Sequence, residues 1–98
     1  MKNYKVNFAD EAKQELRNAI YYIALDNKEK ANALFKEIKT SANKLSDFPD
    51  MGTLDHSNGL PFLHIKPYRL YHLVDHANKS VEIITVHHTS RDTYKPSK

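Results

Sequence analysis

The chain has 98 residues, enough for one domain and too few for two independent cores. Hydrophobic residues at 40% recur with clear periods, which excludes a disordered chain, and the absence of cysteine excludes disulfides, thiolate chemistry and the usual structural zinc sites. The formal net charge of +3 is spread over both halves; it suits contact with nucleic acid, the ribosome or an acidic protein, and equally a merely soluble surface.

Tyr4, Val6 and Phe8 alternate with polar residues, which predicts a short strand over 4–8. Asp10 and Glu11 then place negative charge where a helix N-terminus favours it. Ala12, Leu16, Ala19, Ile20 and Ile23 follow at helical spacing, predicting a helix from about Asp10 to Leu25. Asp26-Asn27-Lys28-Glu29 reads as a capping box that opens a second helix, with Ala31, Leu34, Phe35, Ile38, Ala42 and Leu45 on one face. So short a connection makes the two helices an antiparallel hairpin. Phe48-Pro49-Asp50-Met51-Gly52 ends it, because proline cannot continue a helix and glycine suits a turn.

Residues 53–59 are polar and read as a loop, with Asn58-Gly59 as a turn signal. Three strands are expected next: Leu60 to Ile65, Tyr68 to Val74 after Lys66-Pro67, and Ser80 to His87 after the Ala77-Asn78-Lys79 connection. From His88 to Pro96 the chain is polar and basic. The expectation is one α+β domain over residues 1–98, in the order β-α-α-β-β-β, its helical hairpin packed on one face of a small antiparallel sheet. The other sheet face and the C-terminal tail are then free for function. The opening stretch holds no apolar run of signal-peptide length and no stretch approaches a membrane span, so a cytoplasmic protein without a membrane partner is expected.

No Gly-rich phosphate loop, HExxH or GxSxG motif is present, and no cofactor is expected. The six histidines have no metal-ligand spacing. The neighbours His87 and His88 point to opposite sides of a strand, so they would not share an ion, and no metal site is expected. Arg69 shares a strand face with Tyr71. That pair reads either as a guanidinium set beside a ring for a phosphate or carboxylate, or as an arginine paired with an acid of its own fold. The segment His87, His88, Arg91, Tyr94, Lys95 and Lys98 carries the side-chain types that RNA cleavage by 2′-OH attack requires: a base, a cation for the phosphorane charge and an acid. A solvated basic tail has the same composition. Tyr21 and Tyr22 are adjacent on the first helix, so one is expected outside its buried stripe.

The ordered pieces Phe8-Ala9-Asp10-Glu11-Ala12, Ile20-Tyr21-Tyr22-Ile23 and Leu45-Ser46-Asp47-Phe48-Pro49-Asp50-Met51-Gly52 resemble the RelE/ParE toxins of bacterial type II toxin–antitoxin systems. Tyr68-Arg69-Leu70-Tyr71-His72-Leu73-Val74, Val81-Glu82-Ile83-Ile84-Thr85-Val86-His87-His88 and Ser90-Arg91-Asp92 extend that resemblance over nearly the whole chain. It implies a toxin neutralised by an antitoxin encoded beside it, forming a hetero-oligomer with it. The long helical hairpin and Phe48-Pro49-Asp50-Met51-Gly52 are more similar to the ParE branch, which implies inhibition of growth by binding DNA gyrase, without catalysis. The alternative is a RelE-like endonuclease that cuts mRNA on the ribosome; its candidates here are Arg69, His88, Arg91 and Tyr94, with His88 where an arginine is expected. For binding of a target, the candidates are Lys66, Arg69, Tyr71, His87 and Arg91.

Overall fold

The computed structural model of the chain describes residues 3–90. Its elements follow in the order β1 (Lys5–Phe8), α1 (Asp10–Asp26), α2 (Lys28–Lys44), β2 (Thr53–Asp55), β3 (Leu60–Ile65), β4 (Tyr68–Asp75) and β5 (Ser80–His88). The architecture is the expected α+β arrangement of a helical hairpin on a sheet.

The helices form where the stripes placed them. Asp10 and Glu11 occupy the first turn of α1, and Ala12 and Leu16 are buried. In α2 the buried residues are Ala31, Leu34, Ile38 and Ala42. The cap between the helices differs from the expected one. Asp26 remains the last residue of α1, and Asn27 caps α2 by accepting a hydrogen bond from the Lys30 backbone N–H at 3.0 Å. Asn27 prevails because a single residue links the helices, so the cap must sit directly before Lys28. Phe35, expected on the buried stripe, is 45% exposed. It is next to Leu34, about 100° round the helix, and only one of two adjacent residues can point at the centre of the interface. Tyr21 and Tyr22 are both exposed, beyond the edge of the α1 stripe.

Among the described residues the sheet has five strands in the order β1-β5-β4-β3-β2 and is mixed rather than antiparallel. β1 pairs with β5 in parallel, Val6 opposite Val81 and Phe8 opposite Ile83, and every other pairing is antiparallel. The parallel edge follows from connectivity: the helical hairpin returns the chain to the far side of the sheet, and the meander β3-β4-β5 then runs back to β1. The three-residue β2 arises in the segment expected as a loop, pairing Thr53 with Phe62 and Asp55 with Leu60. Gly52 makes the approach possible. Its φ is +121°, and a Cβ there would lie 2.7 Å from the Phe62 carbonyl oxygen.

The core joins the helical stripes to Leu63, Ile65, Tyr68, Leu70, Val81, Ile83 and Val86 of the sheet. A register shift puts Tyr71 opposite Thr85 and His72 opposite Ile83, so Ile84 is an extra residue in β5. Beside this bulge, Glu15 of α1 accepts hydrogen bonds from Thr85 Oγ1 at 2.7 Å and the Val86 backbone N–H at 2.8 Å, pinning α1 to β5. Among the described residues no helix is long and apolar enough to cross a membrane.

Candidate functional site

The site follows from strand alternation. Tyr68 and Leu70 of β4 point into the shared core, so Arg69 and Tyr71 emerge on the sheet face turned away from the helices. Register brings His64 and His87 beside Arg69, and Phe62 beside Tyr71. The face is aromatic. The Tyr71 ring centroid lies 5.4 Å from that of Phe62 and 6.2 Å from that of His87, and the Arg69 guanidinium sits 4.4 Å over the Phe62 ring.

Asp55, at the end of β2, closes this group. The Tyr71 hydroxyl donates to its Oδ2 at 2.7 Å, and Arg69 Nη1 donates to the Tyr71 hydroxyl at 3.3 Å. Arg69 Nη1 also stands 3.6 Å from Asp55 Oδ2. The other carboxylate oxygen accepts from the Ser57 backbone N–H at 2.9 Å and the Ser57 hydroxyl at 2.6 Å. These bonds favour the ionised form. The Ser57 hydroxyl leads, followed by the Tyr71 hydroxyl and the Ser57 backbone, with the Arg69 charge adding a smaller effect; the Asp55 pKa is lowered from 3.8 to about 2. The Tyr71 phenol is pushed up, first by burial and then by donating to the carboxylate.

Arg69 is therefore an arginine paired with an acid of its own fold, and it is also half open to solvent. Its side chain is 37% exposed against 9% for Asp55. A guanidinium has five N–H donors in a planar fork. The buried Nε of Arg69 finds no hydrogen-bond partner among the described residues. The arrangement can hold a planar cation rigidly on an aromatic platform and present it to a carboxylate or phosphate from outside, against the opposing charge of Asp55.

The other expected residues divide. His87 lies on the Arg69 face, beside Tyr71. His88 lies on the opposite face: it pairs with Tyr68, packs its ring edge-on at 5.1 Å, and its Nδ1 is bonded by the Ser90 backbone N–H at 3.1 Å with the Ser90 hydroxyl at 2.6 Å. Lys66 is exposed in the β3–β4 turn. Arg91 and Tyr94 lie outside the described residues. Thus Arg69, Tyr71 and His87 come together, whereas Arg69 and His88 do not. Asp55 and Phe62 were missed by sequence reasoning. Asp55-His56-Ser57-Asn58-Gly59 carries the Asx-turn pattern that could have flagged the carboxylate. Phe62 could have been found only with the β3–β4 register in hand. Among the described residues no three His, Asp or Glu side chains are grouped so as to hold a metal ion.

Residues 6–93 match the family described as the ParE toxin of the type II toxin–antitoxin system, parDE. The chain belongs to the ParE toxin family. Two solved structures share the fold. One is the chromosomal ParDE toxin–antitoxin system from P. aeruginosa, with 17% identity and a TM-score of 0.71, covering 90% of this chain and 98% of that one. The other is the RelBE2 toxin–antitoxin complex from Mycobacterium tuberculosis, with 21% identity and a TM-score of 0.60, covering 90% and 93%. No curated protein matches the sequence significantly.

Proposed function

We propose that this ParE-family toxin arrests growth by binding DNA gyrase in the cytoplasm and is neutralised by an antitoxin encoded beside it. The family match over residues 6–93 supports the reading. The observation that carries it against RNA cleavage is the division of Arg69 and His88 between the two faces of the sheet. A ribonuclease needs a base, an acid and a cation within reach of one phosphate. Here the arginine is held by Asp55 on one face, while the histidine ring packs on Tyr68 on the other. A gyrase inhibitor needs no acid–base pair, only a docking surface.

The test is induction of the wild type and of His88→Ala with Tyr94→Phe, following replication, DNA-damage signalling and ribosome-bound mRNA. Replication is expected to stop first, and toxicity to survive both substitutions with mRNA uncut. Cleavage of ribosome-bound mRNA that falls by roughly 10²–10⁴-fold in these variants would overturn the proposal and establish the endonuclease instead.

A further inference from the structure

The Arg69 cluster carries its own anion. Among the described residues Arg69 is the one lysine or arginine in an ion pair with a carboxylate. The two partners are unequally open: the guanidinium can be reached from solvent, whereas the Asp55 side chain is enclosed. The carboxylate does not depend on the arginine for its place. The Ser57 backbone N–H and hydroxyl hold Oδ1 through a local turn, and the Tyr71 hydroxyl holds Oδ2 at 2.7 Å. These bonds keep it ionised, with a pKa of about 2, so its charge is permanent. The strands bring it there: Thr53 of β2 pairs with Phe62, Phe62 pairs with Tyr71, and Asp55 ends β2. Arg69 is fixed in turn by the Phe62 ring and the Tyr71 hydroxyl. An open cation therefore has a fixed negative charge 3.6 Å from its Nη1 before any ligand arrives.

We propose that Asp55 determines what the Arg69 face accepts: it is a built-in counter-anion that keeps the phosphodiesters of nucleic acid off the guanidinium and leaves the face to protein contacts. The inference rests on the docking reading above and deepens it by naming the residue that excludes RNA. A phosphate reaching the open side of Arg69 meets an ion pair without net charge, and the carboxylate repels it. A loosely held surface acid could swing aside. Asp55 cannot, because its bonds from the Ser57 backbone, the Ser57 hydroxyl and the Tyr71 hydroxyl all hold without the arginine. Displacing it would also leave an enclosed carboxylate without its cation. A neutral side chain at position 55 removes the repulsion and leaves a rigid guanidinium on an aromatic platform, which is a phosphate-binding arrangement.

The experiment uses the purified full chain. A labelled single-stranded oligo-uridine RNA is titrated at low salt onto the wild type, Asp55→Asn, Asp55→Asn/Arg69→Gln and Glu37→Gln. Glu37 is exposed on α2, and its substitution changes the net charge by as much as Asp55→Asn does. Asp55→Asn should bind the RNA roughly tenfold or more tightly than the wild type. Glu37→Gln should stay near the wild type, and adding Arg69→Gln should return Asp55→Asn to it. Equal affinity of Asp55→Asn and wild type, an equal gain in Glu37→Gln, or a gain that survives Arg69→Gln would each overturn the proposal. Thermal melting checks that every variant is folded. Asp55→Ser is the second neutral variant, because a serine hydroxyl can still support the local turn if the asparagine does not fold; the same outcomes apply to it. A wild type that does not stop replication on induction would count against the gyrase reading alone, since these affinities are measured without gyrase.

Discussion

Tyr71 makes no exposed surface, yet its hydroxyl is spent on a charged partner. Removing it takes the 2.7 Å bond from Asp55 Oδ2, where Arg69 Nη1 stands farther off at 3.6 Å. Tyr71→Phe should therefore lower stability by about 1.5–3 kcal/mol, the range for a hydrogen bond to a charged group, seen as a lower urea midpoint with unchanged slope. Asp55 makes the same cluster sensitive to acid. Its folded pKa lies below its unfolded value, so its contribution is fully present above about pH 3.8 and is lost as pH falls towards about 2. In thermal melts over that window, Asp55→Asn should lack this part of the acid loss. A variant profile parallel to the wild type would show that the carboxylate is not held by these bonds. His72 adds a second sensitivity at higher pH. Burial pushes its pKa below 6.5, against backbone hydrogen bonds to Leu70 and Met51, so holding it neutral in the fold lowers stability as pH drops below that value.

At the level of elements, α2 separates burial from hydrophobicity. Leu34 and Ile38 are in the core, whereas Phe35, the largest apolar residue of the helix, is largely open. Leu34→Ala or Ile38→Ala should cost about 2–5 kcal/mol, because truncation leaves a cavity in a packed interface. Phe35→Ala should cost less than about 1 kcal/mol. Urea unfolding of the three variants tests the division, and a cost at position 35 matching that at 34 would place the aromatic ring in the core. The second element worth comparing is β2. Polar composition predicted a loop over 53–59, and tertiary contacts overrode it: the close approach at Gly52, and the Asp55 carboxylate held by Ser57 and Tyr71. Three residues are too few for a period to be read.

For the whole molecule, the charge is divided between surfaces. The Arg69 face carries its own counter-ion in Asp55, while the groove between α1, α2 and β1 is lined, among the described residues, by Lys13, Arg17 and Lys39 and by no carboxylate. Association with an acidic antitoxin should therefore slow as salt rises, since screening at about 0.15 M ionic strength limits steering to roughly 8 Å. Stopped-flow association at increasing salt measures this. An association rate that does not change with salt would mean that apolar contact alone drives the encounter.

The sequence by itself determined the two helices and the strands β1, β3, β4 and β5 in their order, the centre of each helix's buried stripe and the placing of Arg69 with Tyr71 on one side of a strand. These follow from periods of 3.6 and 2, which are local properties of the chain. It also separated His87 from His88, because adjacent strand residues point to opposite faces whatever the sheet does. Only the tertiary structure decided that β1 lies parallel to β5, that Asp55 holds Arg69 and Tyr71, and that Phe35 and Tyr21 are left open beside three cations. Each of these depends on which distant segments meet. Asp55 and Tyr71 are 16 residues apart, and β1 and β5 come from opposite ends of the chain, so no local period encodes their contact.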